Sequence, residues 1–467
     1  MYRPIRLLVL APVFLSLVSI SPAQSSGGNV YPLPETYFPG LASLIETAAK
    51  QSPRMTARNT ENAIAEADRI TARSGQLPSA GGYFSYYPWV NETRAVAGQD
   101  SGGNPLPDQK LTPTKIAYNF TITQPIFHWG ALRNNTRIGE LQQKITEGQT
   151  ADAYRVLVDE IRAQYLQVIV NKVALARSRF NEKVSDDQLT LARSKREKNV
   201  ISEADLFGPT IAAEQARLAA DRAADDYESS RIYLGKLCGS APLSDDQVPT
   251  EIPPITPASS GLQEVITEFT RHEELDTYAL QALRDQIESE RLNYKVASTR
   301  LLPKFNLAAG TSQDEQSYSV DITNKYKVQS YYAGATINWS IFDGFAARSA
   351  KVSSLARRRQ LEANYRNQTA DTIAAVKTQM RQLEFTSRNL SIVERMLGSA
   401  GNMLTARKED IARGIASEAD VNAAQSAFYD WQLAAFGARN EYMMRVAKLL
   451  SATQQDPALA NSPVQLR

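Results

Sequence analysis

The segment RGIASEADV, Arg413 to Val421, has an earlier counterpart in KNVISEADL, Lys198 to Leu206. Both contain Ser-Glu-Ala-Asp, at 202–205 and at 417–420, and the two copies are 215 residues apart. Each copy follows a long proline-free stretch with helical periodicity and starts a second helical pattern. The pair therefore predicts the tight turns of two long helical hairpins, in a chain built from two versions of one unit.

The N-terminus has the pattern of an export signal over residues 1–23. Arg3 and Arg6 precede an apolar run from Leu7 to Ile20, and Ser21-Pro22-Ala23 supplies small residues at a cleavage position. A transmembrane anchor is the alternative. However, the apolar run has only about 14 residues, whereas a spanning helix needs about 20.

Without this segment the formal net charge of the chain falls from +2 to 0. A neutral chain with charges scattered along helices gives no footprint for nucleic acid. The single cysteine, Cys238, leaves no possible intrachain disulfide. The sequence has no nucleophile–base motif, no phosphate-cradling glycine loop and no metal-ligand spacing, so we expect neither an enzyme nor a cofactor.

The first predicted unit spans residues 41–238 and follows an extended segment at 24–40 that is rich in Pro, Gly and Ser. Strands are predicted at about 80–90 and 115–127, where aromatic residues and period-two alternation occur. The proline-free stretch that follows would form a helix about 100 Å long, with its turn near 199–202. Its apolar residues keep the spacing of a coiled-coil seam at Tyr154, Val158, Ile161, Tyr165 and Val168.

The second predicted unit spans residues 261–452, after a proline-rich linker at 239–260. Its strands are predicted at about 304–311 and 328–342, and its turn near 414–417. A polar tail at 453–467 is expected to be disordered.

Equal spacing relates the two units. The distance from Phe127 to Asp205 is 78 residues, and the distance from Phe342 to Asp420 is also 78. Two independent helices would not share this length by chance. The strands therefore continue directly into the long helices in both units.

Each unit offers two strands with one apolar face and a polar loop between them. A soluble sheet packed on helices would cover such a face, and a membrane β-barrel would expose it to lipid. Four strands cannot close a barrel, and open edges are not tolerated in lipid. Three copies of the chain would supply twelve strands, which lies within the range of outer-membrane barrels.

The chain resembles the outer-membrane efflux protein family of TolC-like channels over nearly the whole chain after the signal. The resemblance rests on Gly414-x-x-Ser417-x-x-Asp420, on Leu-Pro before the first strand of each unit (77–78 and 302–303), and on Ile-Phe at the strand ends. The first turn departs from the pattern, because Asn199 occupies the position of Gly414. Asparagine tolerates left-handed backbone, so we expect the turn to be preserved.

The resemblance implies an α+β membrane protein with two structural repeats, assembled as a homotrimer. A 12-stranded β-barrel, in contact with outer-membrane lipid, would continue as a long α-helical coiled-coil tunnel across the periplasm. The protein would be the outer-membrane exit duct of a tripartite efflux or type I secretion system. A periplasmic adaptor (membrane fusion protein) would link it to an inner-membrane pump or ATP-driven exporter.

A periplasmic coiled-coil scaffold or adaptor without a barrel is the alternative function. An adaptor would carry one hairpin and a lipoyl-like β domain, whereas this chain predicts two hairpins with paired strands. The sequence does not identify the cargo, since specificity in such systems lies mostly with the pump.

The two turns contain the candidate site residues. Ser202 and Ser417 each precede an aspartate by three residues, a capping-box pattern that starts a helix and accounts for both pairs by itself. The resemblance adds a gate: Asp420, and with it Asp205, would form a constriction that favours cations. It also adds an adaptor-docking surface at these turns, formed by Val200, Ile201, Ser202, Gly414, Ile415, Ala416 and Ser417.

Three tryptophans, Trp89, Trp129 and Trp339, are candidates for the aromatic girdles of a membrane interface. Packing inside a soluble sheet is the alternative for all three.

Overall fold

The computed structural model describes residues 31–94, 97–257, 260–271, 275–318 and 325–461. The predicted signal at 1–23 lies outside these residues. All helices and strands of the described residues belong to one compact unit, which begins at Pro32.

The elements form two series along the chain. The first contains α1 (Pro34–Tyr37), α2 (Pro39–Gln51), α3 (Pro53–Ser74), β1 (Ser79–Tyr87), β2 (Glu92–Arg94), β3 (Gln109–Leu111), β4 (Pro113–Phe127), α4 (Ala131–Glu197) and α5 (Phe207–Cys238). The second contains α6 (Ser260–Arg271), α7 (Tyr278–Ser298), β5 (Lys304–Tyr318), β6 (Lys325–Asn338), α8 (Ala346–Ala412) and α9 (Glu418–Ala452). Short 3-10 turns lie at Ala204–Leu206, Asp245–Gln247 and Pro457–Asn461.

The two long helices, α4 and α8, have 67 residues each, and their starts are 215 residues apart. Two consecutive residues with left-handed backbone precede each of them. These are Trp129 (φ 55°) with Gly130 (φ 79°), and Gly344 (φ 62°) with Phe345 (φ 66°). The repeat therefore extends to the backbone conformation of the strand-to-helix connection.

A single antiparallel sheet joins the two units in the strand order β1-β4-β5-β6. β4 and β5, one from each unit, pair at its centre. One face is apolar and exposed, as at Phe120, Ile122 and Ile337, which are 47%, 43% and 60% accessible. The alternate positions, such as Thr121 and Asn306, supply a polar face.

The helices next to the sheet repeat its order, since α3 packs on α4, α4 on α7, and α7 on α8. Further along, α4 packs on α5 and α9, and α8 packs on α9. The predicted coiled-coil seam of α4 is confirmed, because its five residues from Tyr154 to Val168 are all buried. Every helix in the described part of the chain is too short or too polar to cross a lipid bilayer.

Two of the predicted irregular segments differ from the structure. Part of the extended segment at 24–40 is helical, because Pro34 and Pro39 occupy first helical positions, which their fixed φ favours. The prediction of a disordered tail was wrong for its first part. Asp456 and Leu459 are 4% and 9% accessible, and the chain turns helically at Pro457–Asn461.

The linker and the strands of the second unit also differ from the predictions. Val248 and Ile252 of the linker are buried, so this segment packs on the helices despite its prolines. β5 extends to Tyr318, through residues predicted as a loop, because their backbone pairs with both β4 and β6. β6 ends at Asn338, four residues before the predicted end.

Candidate functional site: the hairpin turns and the strand-to-helix connections

The two hairpin turns close in the same way. Asn199 and Gly414 both have left-handed backbone, with φ of 55° and 75°. The next amide then reverses onto the helix: Val200 N donates to Lys195 O at 2.9 Å, and Ile415 N donates to Asp410 O, also at 2.9 Å. This is the closure of a Schellman motif, and asparagine makes it as glycine does.

The aspartates cap the helices that leave the turns. The Asp205 carboxylate accepts from the backbone N–H of Ser202 at 2.9 Å and from its hydroxyl at 2.7 Å. Asp420 accepts from Ser417 at the same two distances. Each serine hydroxyl in turn accepts from its aspartate's backbone N–H at 3.3 Å. The predicted capping boxes are therefore present in both units.

These hydrogen bonds also hold the two carboxylates ionised. The serine side chain, followed by the serine backbone N–H, lowers the pKa of Asp205 and of Asp420 below its usual value. The Arg407 guanidinium lowers the pKa of Asp420 further. Both groups are fully exposed, so each turn presents a fixed negative charge to solvent.

The same two turns also carry exposed apolar side chains. Val200 and Ile415 are 68% and 73% accessible, and the other predicted docking residues are exposed or half-buried. Phe207, at the start of α5, is 69% accessible and extends the apolar surface of the first turn. Sequence reasoning missed Phe207, although a phenylalanine directly after the ISEADL segment of the predicted turn was a usable signal.

Contacts between α4 and α9 link the two hairpins. Arg177 Nη2 lies 2.5 Å from Asp430 Oδ1, and the Ser426 hydroxyl donates to Asn181 Oδ1 at 3.3 Å. The rings of Phe180 on α4 and Tyr429 on α9 also pack together, with centroids 5.5 Å apart. Nothing in the sequence pattern pairs residues about 250 positions apart, so these contacts could not be predicted.

The tryptophans lie at opposite ends of the sheet. Trp129 and Trp339 follow β4 and β6, and their indole N–H groups donate to Pro303 O at 2.7 Å and Leu301 O at 3.0 Å. Trp89 follows β1 at the other end and is 70% accessible. All three are exposed: Trp129 and Trp339 lie at the end of the sheet that leads into the long helices, and Trp89 lies at the opposite end.

Comparisons with known proteins agree with this architecture. The model of the family described as outer membrane efflux protein matches residues 44–240 and 276–454, one segment for each unit. The alkaline protease secretion protein AprF of Pseudomonas aeruginosa is 19% identical over 420 residues, which cover 88% of this chain and 83% of AprF.

Two crystal structures share the fold along almost their full length. The CmeC outer membrane channel of Campylobacter jejuni superposes with a TM-score of 0.67 at 13% identity, covering 97% of this chain and 94% of CmeC. The outer membrane protein VceC of Vibrio cholerae gives 0.62 at 16% identity, covering 90% of this chain and 97% of VceC.

Proposed function

The chain belongs to the outer membrane efflux protein family, and on this premise we propose that it is the exit duct of a tripartite efflux or type I secretion system. Its place is the outer membrane. Cargo would leave an inner-membrane pump, pass a periplasmic adaptor and cross the duct to the outside. The observation that carries the proposal is a sheet with an exposed apolar face whose strands lead directly into two 67-residue helices.

The open edges of the sheet support a trimer. β1 and β6 are the edge strands, and unpaired edges are costly in lipid. Pairing β6 of one copy with β1 of the next removes both edges, and three copies give a closed 12-stranded barrel. The helices next to the sheet follow the strand order, so α3 and α8 would meet between copies at the same interface.

The positions of the tryptophans fit a membrane-spanning barrel. Lys115, opposite Tyr87 at one end of the sheet, is twelve residues from Phe127 at the other end. This corresponds to about 40 Å along the strand and, at a tilt of about 45°, to about 28 Å across a bilayer. Trp89 would then lie at one interface, and Trp129 and Trp339 at the other.

The hairpin turns are the proposed periplasmic end. The apolar part of the adaptor-docking surface would consist of exposed Val200, Ile415 and Phe207. The other predicted docking residues of the two turns would lie beside it. Asp420, with Asp205, would form the charged constriction of the mouth. Separation of α4 from α9 would open it, since the Arg177–Asp430 pair holds the hairpins together.

Cell fractionation and channel recording test this function. We expect the protein in the outer-membrane fraction, as a trimer by native mass spectrometry after detergent extraction, and discrete conductance steps in planar bilayers. A monomer found in the periplasmic extract without detergent would contradict the proposal. It would favour the alternative of a periplasmic scaffold.

A further inference from the structure

A cavity of about 790 Å³ lies where the sheet meets the helices, and neither the turns nor the tryptophans account for it. Residues of α4, α7 and α8 line it, together with Lys304 at the start of β5. Its size lies within the range of small-molecule sites. It opens on the polar face of the sheet, because it includes His128, whose Nε2 lies 2.9 Å from Asn306 Oδ1 on that face.

The charged residues that line the cavity are all cations. Arg300, Lys304 and Arg357 line it, and no acidic residue does so in the described part of the chain. Two of these cations are paired with acids outside the lining: Arg300 Nε is 3.2 Å from Asp343 Oδ2, and Arg357 Nη1 is 3.9 Å from a Glu290 oxygen. Lys304 has no acidic partner among the described residues.

The start of α4 adds to this positive potential. In the second unit, Asp343 accepts from the first-turn amide of Ala347 at 2.9 Å, which places a carboxylate at the positive end of α8. The residue 215 positions earlier is His128, which carries no carboxylate, and Gly130 at the start of α4 has no side chain that could accept from the first-turn amides. The first unit thus lacks the anion that the second unit has, at the point where the cavity lies.

We propose that this cavity binds a soluble oxyanion, a phosphate, sulfate or carboxylate group of a solute or cargo. Arg300, Lys304 and Arg357 would contact its oxygens, because charge-assisted hydrogen bonds to such groups are the strongest that these side chains make. The start of α4 would complete the site. In the proposed duct, the polar face of the sheet would form the inner wall, so a cavity on that wall rests on the proposed function. The binding of an oxyanion does not.

Titration of the purified, detergent-solubilised protein with inorganic pyrophosphate tests this site. We expect saturable calorimetric binding, about tenfold weaker in Lys304→Gln and in Arg357→Gln. Arg359→Gln is the matched control, since Arg359 is an exposed arginine of α8 outside the cavity, and its binding should equal that of the wild type. Equal binding by all four proteins, or none by the wild type, would overturn the proposal.

A fourth variant adds a negative charge at the start of α4. His128→Asp supplies the first unit with the carboxylate that the second unit has, so we expect a protein that no longer binds pyrophosphate, and its Tm shows what loss of the His128–Asn306 hydrogen bond costs. Retained binding would overturn the site. If Lys304→Gln loses co-purified phospholipid phosphorus while its pyrophosphate binding is unchanged, the cavity binds a lipid headgroup. That result would overturn the assignment of the cavity to a soluble anion. The titration does not require conduction, so absence of pyrophosphate binding would not contradict the proposed exit duct. A protein that binds pyrophosphate but does not conduct would contradict only the exit duct.

Discussion

Asp456 forms a bidentate ion pair with Arg162, 294 residues away along the chain: Nη1 lies 2.5 Å and Nη2 2.8 Å from its two carboxylate oxygens. Arg162 is fully buried in the middle of α4, and its Nε donates to Glu35 of α1 at 2.7 Å. The Tyr154 hydroxyl also donates to Ala458 O at 3.3 Å. One arginine thus holds the first and last described segments of the chain on the long helix.

We expect Asp456→Asn to destabilise the protein strongly. The substitution leaves a buried guanidinium with too little compensating charge, and breaking such a pair typically costs about 3–5 kcal/mol. Differential scanning calorimetry at a fixed heating rate should show a lower Tm, and limited proteolysis should release the C-terminal segment first.

Glu61→Gln is the control for loss of a charge. It breaks an exposed pair, in which Arg58 Nη1 lies 2.5 Å from Glu61 Oε2, and such pairs contribute about 0.2–1 kcal/mol. An Asp456→Asn protein with the same Tm as Glu61→Gln would show that the bidentate pair does not hold the tail.

Asp159 lies beside the same arginine, yet we expect the opposite result from Asp159→Asn. Burial raises the pKa of Asp159, although Arg162 opposes this effect. A raised folded pKa gives stability that is present at low pH and lost as the pH rises through it. At pH 7.5, Asp159→Asn should therefore match or exceed the wild-type Tm, because the amide can still accept from the Ser451 hydroxyl.

The pH dependence provides the check on Asp159. As the pH falls from 7.5 toward 4, the wild type should gain Tm relative to Asp159→Asn, because only the wild type takes up the proton. A wild-type advantage that grows toward high pH would mean that the ionised form of Asp159 stabilises the fold.

The repeat could be predicted from the sequence, whereas the Arg162 network could not. Ser202–Asp205 and Ser417–Asp420 are local patterns, and their equal distance from Phe127 and Phe342 places them at corresponding points of two long helices. Asp456 lies in a polar segment without periodicity, and only the folded chain brings it to Arg162. The polar composition that predicted a disordered tail instead supplies the partner of a buried charge.

Loosening the link between the hairpins should favour an open mouth. Replacement of both Arg177 and Asp430 by alanine removes the ion pair between α4 and α9. A loss of about 1 kcal/mol would shift the balance of closed and open states about fivefold. We expect a larger mean conductance in planar bilayers.

Arg217→Ala is the matched control for this link. Arg217 lies 3.5 Å from Asp186 within the first hairpin, between α5 and α4, so its loss leaves the contact between the hairpins intact. If Arg217→Ala raises the conductance as much as the double variant does, the effect comes from general loosening and not from separation of the hairpins.

The second turn should accept asparagine in place of its glycine. Asn199 adopts at the first turn the left-handed conformation that Gly414 adopts at the second, and a Cβ at Gly414 would meet nothing within 4 Å. Gly414→Asn should therefore leave hydrogen–deuterium exchange at the turn unchanged. Gly414→Val should accelerate it, because a β-branched residue in this conformation costs about 1–2 kcal/mol or more.

A glycine within α8, the helix that leads into the second turn, separates conformational strain from added bulk. Gly398 lies in the interior of α8, and a Cβ there also meets nothing within 4 Å. Gly398→Ala should slow exchange in α8, since alanine favours a helix over glycine by about 1 kcal/mol. Acceleration by both Gly398→Ala and Gly414→Val would show that added bulk, and not the left-handed backbone, is the cause.

The two capping aspartates distinguish a helix cap from a charged mouth. Asparagine can still accept from the Ser417 N–H, so Asp420→Asn removes the charge and keeps most of the cap. If Asp420 lines the mouth, the variant should show weaker cation preference in reversal-potential measurements across a salt gradient. Asp205→Asn makes the same chemical change at the first turn and shows whether the two turns contribute equally.

The pH dependence of this preference follows from the same hydrogen bonds. Because the Ser417 side chain and backbone lower the pKa of Asp420, the carboxylate stays charged below its usual value of 3.8. The cation preference of the wild type should therefore be the same at pH 7 and pH 4.5 and decline only below pH 3.8. Unchanged preference in both Asp420→Asn and Asp205→Asn would leave the aspartates with the capping role alone.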